Sequence, residues 1–336
     1  MDWSKGYMSK CYISFVDERS WLDRDTLDIT GGSIRRSSDD LQESASIDCV
    51  AYPTVMEQWV RVWIDAVQDG DYAHEAIFTG LATSPGRDID GAYETNTIEC
   101  YSVLKPAQDI LLPLGWYAPA EAYGADLVKE LLSVIPAPID DIPEQSPAIP
   151  EAIVAESGES HLSMAVKILY AIGWELRITG YGHVRIVPMS SDIVSVFDAT
   201  VNDIIEPHVT VTFDWYACPN VLRVSTPDGV SATVRDEDED SPLSVGNRGR
   251  EIWAEETNVS VGSEETLGEY ALRRLRELQQ VNTIVSYDRR FVPDISLGDR
   301  VIINYPAQNI SGEYVITSQT IQLGYSATTS EEAQMA

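Results

Sequence analysis

Histidine and cysteine are the scarcest residues here able to carry chemistry. The four histidines are His74, His161, His183 and His208, none four residues from another and none beside a cysteine. A zinc site sets its ligands at short fixed spacings, and nucleophilic catalysis needs a histidine held beside its nucleophile, so neither is signalled. The four cysteines, Cys11, Cys49, Cys100 and Cys218, form no C-x-x-C pair and read as small buried hydrophobes. Carboxylates are the opposite case. With 54 acidic residues, any chosen glycosidase pair is uninformative. The run Asp236-Glu237-Asp238-Glu239-Asp240 lacks the spaced ligands and central glycine of a calcium loop and reads as a solvated loop. Trp59 and Trp63 alternate within an apolar strand, where core packing outweighs a sugar platform. Phosphate-binding glycine loops, G-x-S-x-G and H-E-x-x-H do not occur. The expectation is no catalytic, cofactor-binding or metal-binding residue, and no enzyme.

The elements that would position any site fall into three regions. Region 1–113 is strand-rich: Cys11 to Val16, Ile29 to Ile34 broken by a bend, Ala45 to Val50, Trp59 to Ala66, Glu75 to Ala82 and Thr97 to Leu104. Six short strands split by Gly, Asp, Ser and Pro turns predict a compact antiparallel barrel or sandwich. Region 114–195 is a small α/β module. Tyr123, Leu127 and Leu131 make one helical stripe, with Val128 and Leu132 beside it and Pro136 as the stop. A proline-rich stretch, 136–150, reads as an exposed connector. A second helix starts near Ser160 on the stripe Leu162, Ala165, Val166, Leu169, Ile172. Trp174 to Ile178 and His183 to Val187 alternate strictly around Thr179-Gly180-Tyr181-Gly182, a β-hairpin. Region 196–336 returns to strands at Val209 to Trp215, Val221 to Ser225, Val230 to Val234, Thr283 to Tyr287, Arg300 to Asn304 and Glu313 to Leu323. A Pro227-to-Gly229 turn and an inserted helix over 263–280 interrupt them. Ser263 caps that helix, Glu264 and Glu265 open it, and Leu267, Tyr270, Ala271, Leu275 and Leu278 form its stripe.

Charge limits the partners. Against 54 acidic residues stand 23 basic ones, a net of -31, so stable nucleic-acid binding and adsorption to anionic lipid are both disfavoured. No stretch approaches the ~20 apolar residues of a membrane span, so no membrane insertion is expected. The start Met1-Asp2-Trp3-Ser4-Lys5-Gly6 lacks the pattern of a signal peptide, which predicts synthesis in a bacterial host's cytoplasm.

The order of elements resembles the baseplate hub proteins of phage tails and phage-tail-like particles. The residues that carry the resemblance are Asp2 to Tyr7 before the first strand, Glu99 to Pro106, Leu111 to Tyr117, and Val292 to Val301. The resemblance implies an α+β, mainly β fold, with two tube-like antiparallel β-barrels (1–113 and 196–336) joined by the α/β module. It implies a homotrimer forming a pseudo-sixfold ring in the virion tail baseplate. Its partners would be a tail tube or distal tail protein, a tape measure protein, and a central spike or tail tip protein. The family supplies no catalytic or cofactor residue. An acidic wall would let DNA slide past during ejection without sticking. Both ends are then expected to superpose as barrels; one continuous sheet made from both, or two unrelated β-folds, would make the pseudo-sixfold argument wrong. Two rivals remain: a carbohydrate- or receptor-binding module, which requires exposed aromatics, and a cell-wall hydrolase, which requires a cleft holding a carboxylate of raised pKa.

Overall fold

The computed structural model describes all residues except 4, 39–40, 51, 53–55, 91–92, 143–144, 199–204, 217, 227–228, 258, 260–265, 280–281, 307–309 and 325–326. The first strands are β1 (Met8–Val16), β2 (Asp23–Asp28), β3 (Gly31–Ser37), β4 (Glu43–Cys49), β5 (Gln58–Gln68), β6 (Asp71–Asp90) and β7 (Tyr93–Ser102), followed by helix α1 (Lys105–Asp109). Next come β8 (Tyr117–Ala118), α2 (Gly124–Leu131), β9 (Ile153–Val154), α3 (His161–Ile172), β10 (Trp174–Ile178), β11 (Val184–Pro188) and β12 (Ile193–Asp198). The rest is β13 (Ile205–Asp214), β14 (Val221–Ser225), β15 (Ser231–Arg235), α4 (Val245–Arg248), β16 (Trp253–Glu256), α5 (Leu267–Leu278), β17 (Asn282–Arg290), β18 (Arg300–Tyr305), β19 (Ile310–Gln322) and β20 (Thr328–Met335).

The fold is mainly β, of α+β class. Its strand-rich ends are not separate sheets. They share one 13-stranded sheet in the order β13-β17-β20-β19-β3-β4-β7-β6-β5-β1-β2, with β18 on β19 and β12 parallel to β18. The seam is the antiparallel β19–β3 pair, Ser318 opposite Ser37 through Gln322 opposite Ser33. This continuity counts against two independent barrels. The physical reason lies in β3: one side pairs with β4, and the other would be an open edge in the first region alone.

The chain folds as two compact units, Met1–Val209 with Tyr287–Gln334, and Thr210–Ser286. The first unit has two cores. In one, alternate residues of β1, β3, β4, β5 and β7 turn Ile13, Ile34, Ile47, Val62 and Ile98 inward together with Phe291 and Ile321. The other joins α2, α3 and the β10–β11 hairpin to Trp21 and Trp59. The helix starts near Ser160 as the sequence suggests: the Ser160 hydroxyl caps α3 by accepting from Ser163 N–H (3.1 Å), and Gly173 ends it at φ +71°. Leu162, Ile168 and Leu169 are buried on this helix, each worth about 1.5–3 kcal/mol of transfer free energy.

Two local readings are corrected. On α2 the buried stripe is Ala125, Val128 and Leu131, whereas Tyr123 is half exposed, because α2 begins at Gly124 packed against Ile168 and Ile172. The proline-rich stretch is tied down rather than free. Ser146 Oγ accepts from Ala125 N–H (3.0 Å), Ile149 exchanges backbone bonds with Glu121 and Ala122, and Ala137 and Ile149 are buried.

The second unit is a three-stranded sheet, β15 antiparallel and β16 parallel to β14, covered by α5. Ser263 lies outside the described residues; the cap observed is Thr266, paired with Glu269 in a capping box. The stripe Leu267, Ala271, Leu275 packs on this small sheet through Leu222 and Val224. No helix among the described residues is long and apolar enough to cross a membrane.

Candidate functional site

The histidines are dispersed. His74 stacks on Trp63 (centroids 4.2 Å apart, planes 7°) and bonds to Asp65 at 2.7 Å. His161 Nδ1 lies 3.0 Å from the Leu131 carbonyl oxygen, and His183 bonds to Asp140 at 3.1 Å. His208 is exposed. All four cysteines are buried and none forms a disulfide. Trp59 and Trp63 are core residues, 6% and 7% exposed. Among the described residues no group of three or more His, Cys, Asp or Glu is placed to hold a metal ion.

The acidic run is not wholly solvated. Asp236 is buried and accepts from Asp238 N–H, the Ser241 hydroxyl and the Gln279 amide, so it organises the turn, while Glu237 to Asp240 stay exposed.

Two features of the first unit stand out. One is the outward face of β19, β3, β4 and β7. Cross-strand register sets Gln322, Ser33, Ser46 and Glu99 in one row and Thr320, Arg35, Ser44 and Tyr101 in the next. Ser46 donates to Glu99 (2.8 Å) and Thr97 to Asp48 (2.7 Å), while Ile34, Ala45, Ile98 and Ile321 fill the opposite face. Alternation of apolar with polar residues makes this side a polar wall, with Arg35 its cation in these two rows. The strands were legible in sequence; their shared face was not, since β3 and β19 lie at opposite ends of the chain.

The other feature is a cleft of about 800 Å³ whose walls include β10, Arg36, Glu43 and the segment Pro293 to Asp299. Glu43 is 5% exposed; its Oε2 lies 3.5 Å from Arg36 Nε, and its Oε1 has no hydrogen-bond partner. Burial pushes the Glu43 carboxyl up to about 7 against the pull of Arg36. Arg177 bonds both Glu175 (2.7 Å) and Asp299 (2.5 Å) on the same wall. Sequence reasoning missed this cleft, because its residues come from distant segments and no spacing marks them.

The hairpin turn that shapes one side of the cleft is locked in place. Buried Arg61 donates to Asp23 (2.6 Å), Thr79 (3.0 Å) and the Tyr181 carbonyl (3.1 Å), and Thr79 donates to the Gly180 carbonyl (2.7 Å). Any side chain at Gly180 would run into the Ala76 carbonyl. The rival sequence readings each find one element here: Tyr72 and Tyr170 are exposed aromatics, and Glu43 is a cleft carboxylate of raised pKa.

No family model matches the chain, and no curated protein matches it in sequence. Solved structures do match in fold. A tail protein from Neisseria meningitidis MC58 aligns over 98% of this chain and 97% of its own, at 14% identity and TM-score 0.65. The 43 kDa tail protein of prophage MuSo2 from Shewanella oneidensis aligns over 97% and 98%, at 13% identity and TM-score 0.64. A chain of the Francisella PdpA-VgrG complex aligns over 98% of this chain and 58% of its own, at 9% identity and TM-score 0.57. At these identities the likeness is one of fold, shared with these tail proteins and this VgrG complex.

Proposed function

We propose, on the premise of a fold shared with phage tail proteins, that this chain is a structural component of a tail baseplate. In this reading three copies form a hub ring between the tail tube and a central spike, in a virion or tail-like particle. The single observation that carries it is the continuous sheet whose exposed side is polar, mostly hydroxyls and acids with Arg35 among them. A channel for DNA or a tape measure protein needs a surface on which acids outnumber cations and no apolar patch faces protein. The net charge of -31 suits such a wall. Three copies repel one another, so their interfaces must bury more than ~2,000 Å² of largely apolar surface to hold.

The division into regions 1–113, 114–195 and 196–336 belongs to the same proposal, with the two outer regions building the ring. Because those regions share one sheet, the ring is proposed as threefold.

Electron microscopy of the assembled particle tests the reading. The expected map has three copies around a channel faced by Ser46, Glu99 and Thr320. A dimeric or sixfold arrangement of this chain, or a lumen faced mainly by Lys and Arg, would end it. Catalysis is no part of this function. Purified protein is expected to release no sugar from peptidoglycan, and turnover abolished by Glu43→Gln would establish the hydrolase reading instead.

A further inference from the structure

We infer that the cleft beside β10 is a docking site for an extended segment of a partner protein that carries a lysine or arginine among apolar residues. The inference stands on the cleft and not on the ring. Three observations converge on it.

The first is charge. Four carboxylates line the cleft (Glu43, Glu175, Asp294, Asp299) against three guanidiniums. The guanidiniums are all engaged: Arg36 by Gln319 and the Ile77 carbonyl, Arg177 by Glu175 and Asp299, and Arg185 by Asp140. A buried carboxylate oxygen without a partner is costly, and Glu43 Oε1 is one. Glu43 Oε2 already faces Arg36, and Arg177 takes up Glu175 and Asp299, so the groups left for an incoming cation are exposed Asp294 and Glu43 Oε1, while every guanidinium is already engaged and none is left for an anion.

The second is the backbone. Among the described residues the hairpin is a two-stranded sheet, and β10 has no strand partner on its other side. Thr179 N–H bonds the His183 carbonyl, which makes that a hydrogen-bonded pair. Alternation in an antiparallel ladder then turns the N–H and C=O of Leu176 and Ile178 away from β11. The Leu176 carbonyl is held by the Gln42 amide (3.0 Å). Ile178 lines the cleft and presents its N–H and C=O to a chain running alongside, as strand addition requires.

The third is the apolar lining. Tyr170, Met189 and Val194 line the cleft and are 80%, 52% and 46% exposed. A charged small molecule would leave such side chains in water, whereas alternate side chains of a peptide cover them.

Fluorescence anisotropy with a labelled short peptide alternating valine with lysine tests the inference at about 0.15 M ionic strength. Saturable binding is expected, weakened about tenfold by Glu43→Gln, the loss of one charge-assisted hydrogen bond. Val194→Lys, at a half-exposed position that leaves folding intact, should abolish it. Asp238→Asn removes the same charge from an exposed loop elsewhere and should leave affinity unchanged. The inference is overturned if the peptide does not bind, or if Asp238→Asn weakens binding as much as Glu43→Gln. It is overturned equally if a valine-glutamate peptide binds as well, or if chitin oligomers displace the probe and so mark a saccharide site.

Discussion

Arg289 and Glu331 form a two-pronged ion pair wholly shut off from water. Nε–Oε2 is 2.8 Å, Nη2–Oε1 is 2.5 Å, and both side chains are 0% exposed. Gln319 extends the pair, donating to Glu331 (2.6 Å) and accepting from Arg36 (3.3 Å), so a polar chain runs beneath β17, β20, β19 and β3. Removing one member leaves an uncompensated buried charge. Glu331→Gln or Arg289→Met alone should destabilise the first unit by about 3–5 kcal/mol in urea unfolding, and the double change Arg289→Met with Glu331→Leu should recover most of that. A double variant no more stable than either single one would show that the pair does more than neutralise itself.

Glu43 should make stability depend on pH. Its folded pKa of about 7 lies above the unfolded value near 4.5, so the native state keeps a proton that the unfolded chain releases in that window. The stabilising contribution is full below pH ~4.5 and is lost as pH rises through about 7, roughly 3 kcal/mol in all. Comparing wild type with Glu43→Gln at about pH 5 and about pH 8, the difference in unfolding free energy should change by that amount. A constant difference refutes the assignment.

Gly180 and Gly268 should respond oppositely to alanine. At Gly180 the new methyl meets the Ala76 carbonyl and must pry the hairpin from Arg61 and Thr79, costing at least about 1–3 kcal/mol. Gly268 lies in α5 with open space around it, so alanine there should add up to about 1 kcal/mol. Thermal unfolding of both variants checks the pair of signs.

The capping box of α5 gives a probe confined to the second unit. Thr266→Ala removes the oxygen that accepts from Glu269 N–H and should cost about 1 kcal/mol. Hydrogen exchange should show faster opening of α5 and β14 with β4 and β7 unchanged.

Reversing the charge of the polar wall tests its proposed use. Glu99→Lys with Asp48→Lys should leave particles assembled but slow DNA ejection, because cations hold the phosphate backbone. Unchanged ejection kinetics would place the channel elsewhere.

Much of the local structure could be read from sequence, and the long-range arrangement could not. The hairpin β10–β11 was legible because alternation and a Gly-rich turn coincide. The start of α3 near Ser160 and the α5 stripe were legible for similar local reasons. Strand β2, Asp-Arg-Asp-Thr-Leu-Asp, was not, since an exposed edge strand has no buried face to impose a pattern. Strand β20 hid because Glu331, its most buried charge, reads as a surface residue until Arg289 is placed beside it. The cleft and the polar wall depend on which distant strands meet, and no residue spacing records that.

The β19–β3 seam sets a timetable for the newborn chain. Arg36 and Gln319, bonded across it, are 283 residues apart in sequence. At ordinary translation speeds roughly 15 s to a minute separates the emergence of β3 from that of its last neighbour. Throughout that interval the early strands stand with one flank open to any passing polypeptide, the exposure that leads to wrong pairing and clumping. Cells making this protein therefore need either a chaperone able to shield that flank or a dilute enough supply of nascent copies that the chain's own tail arrives first.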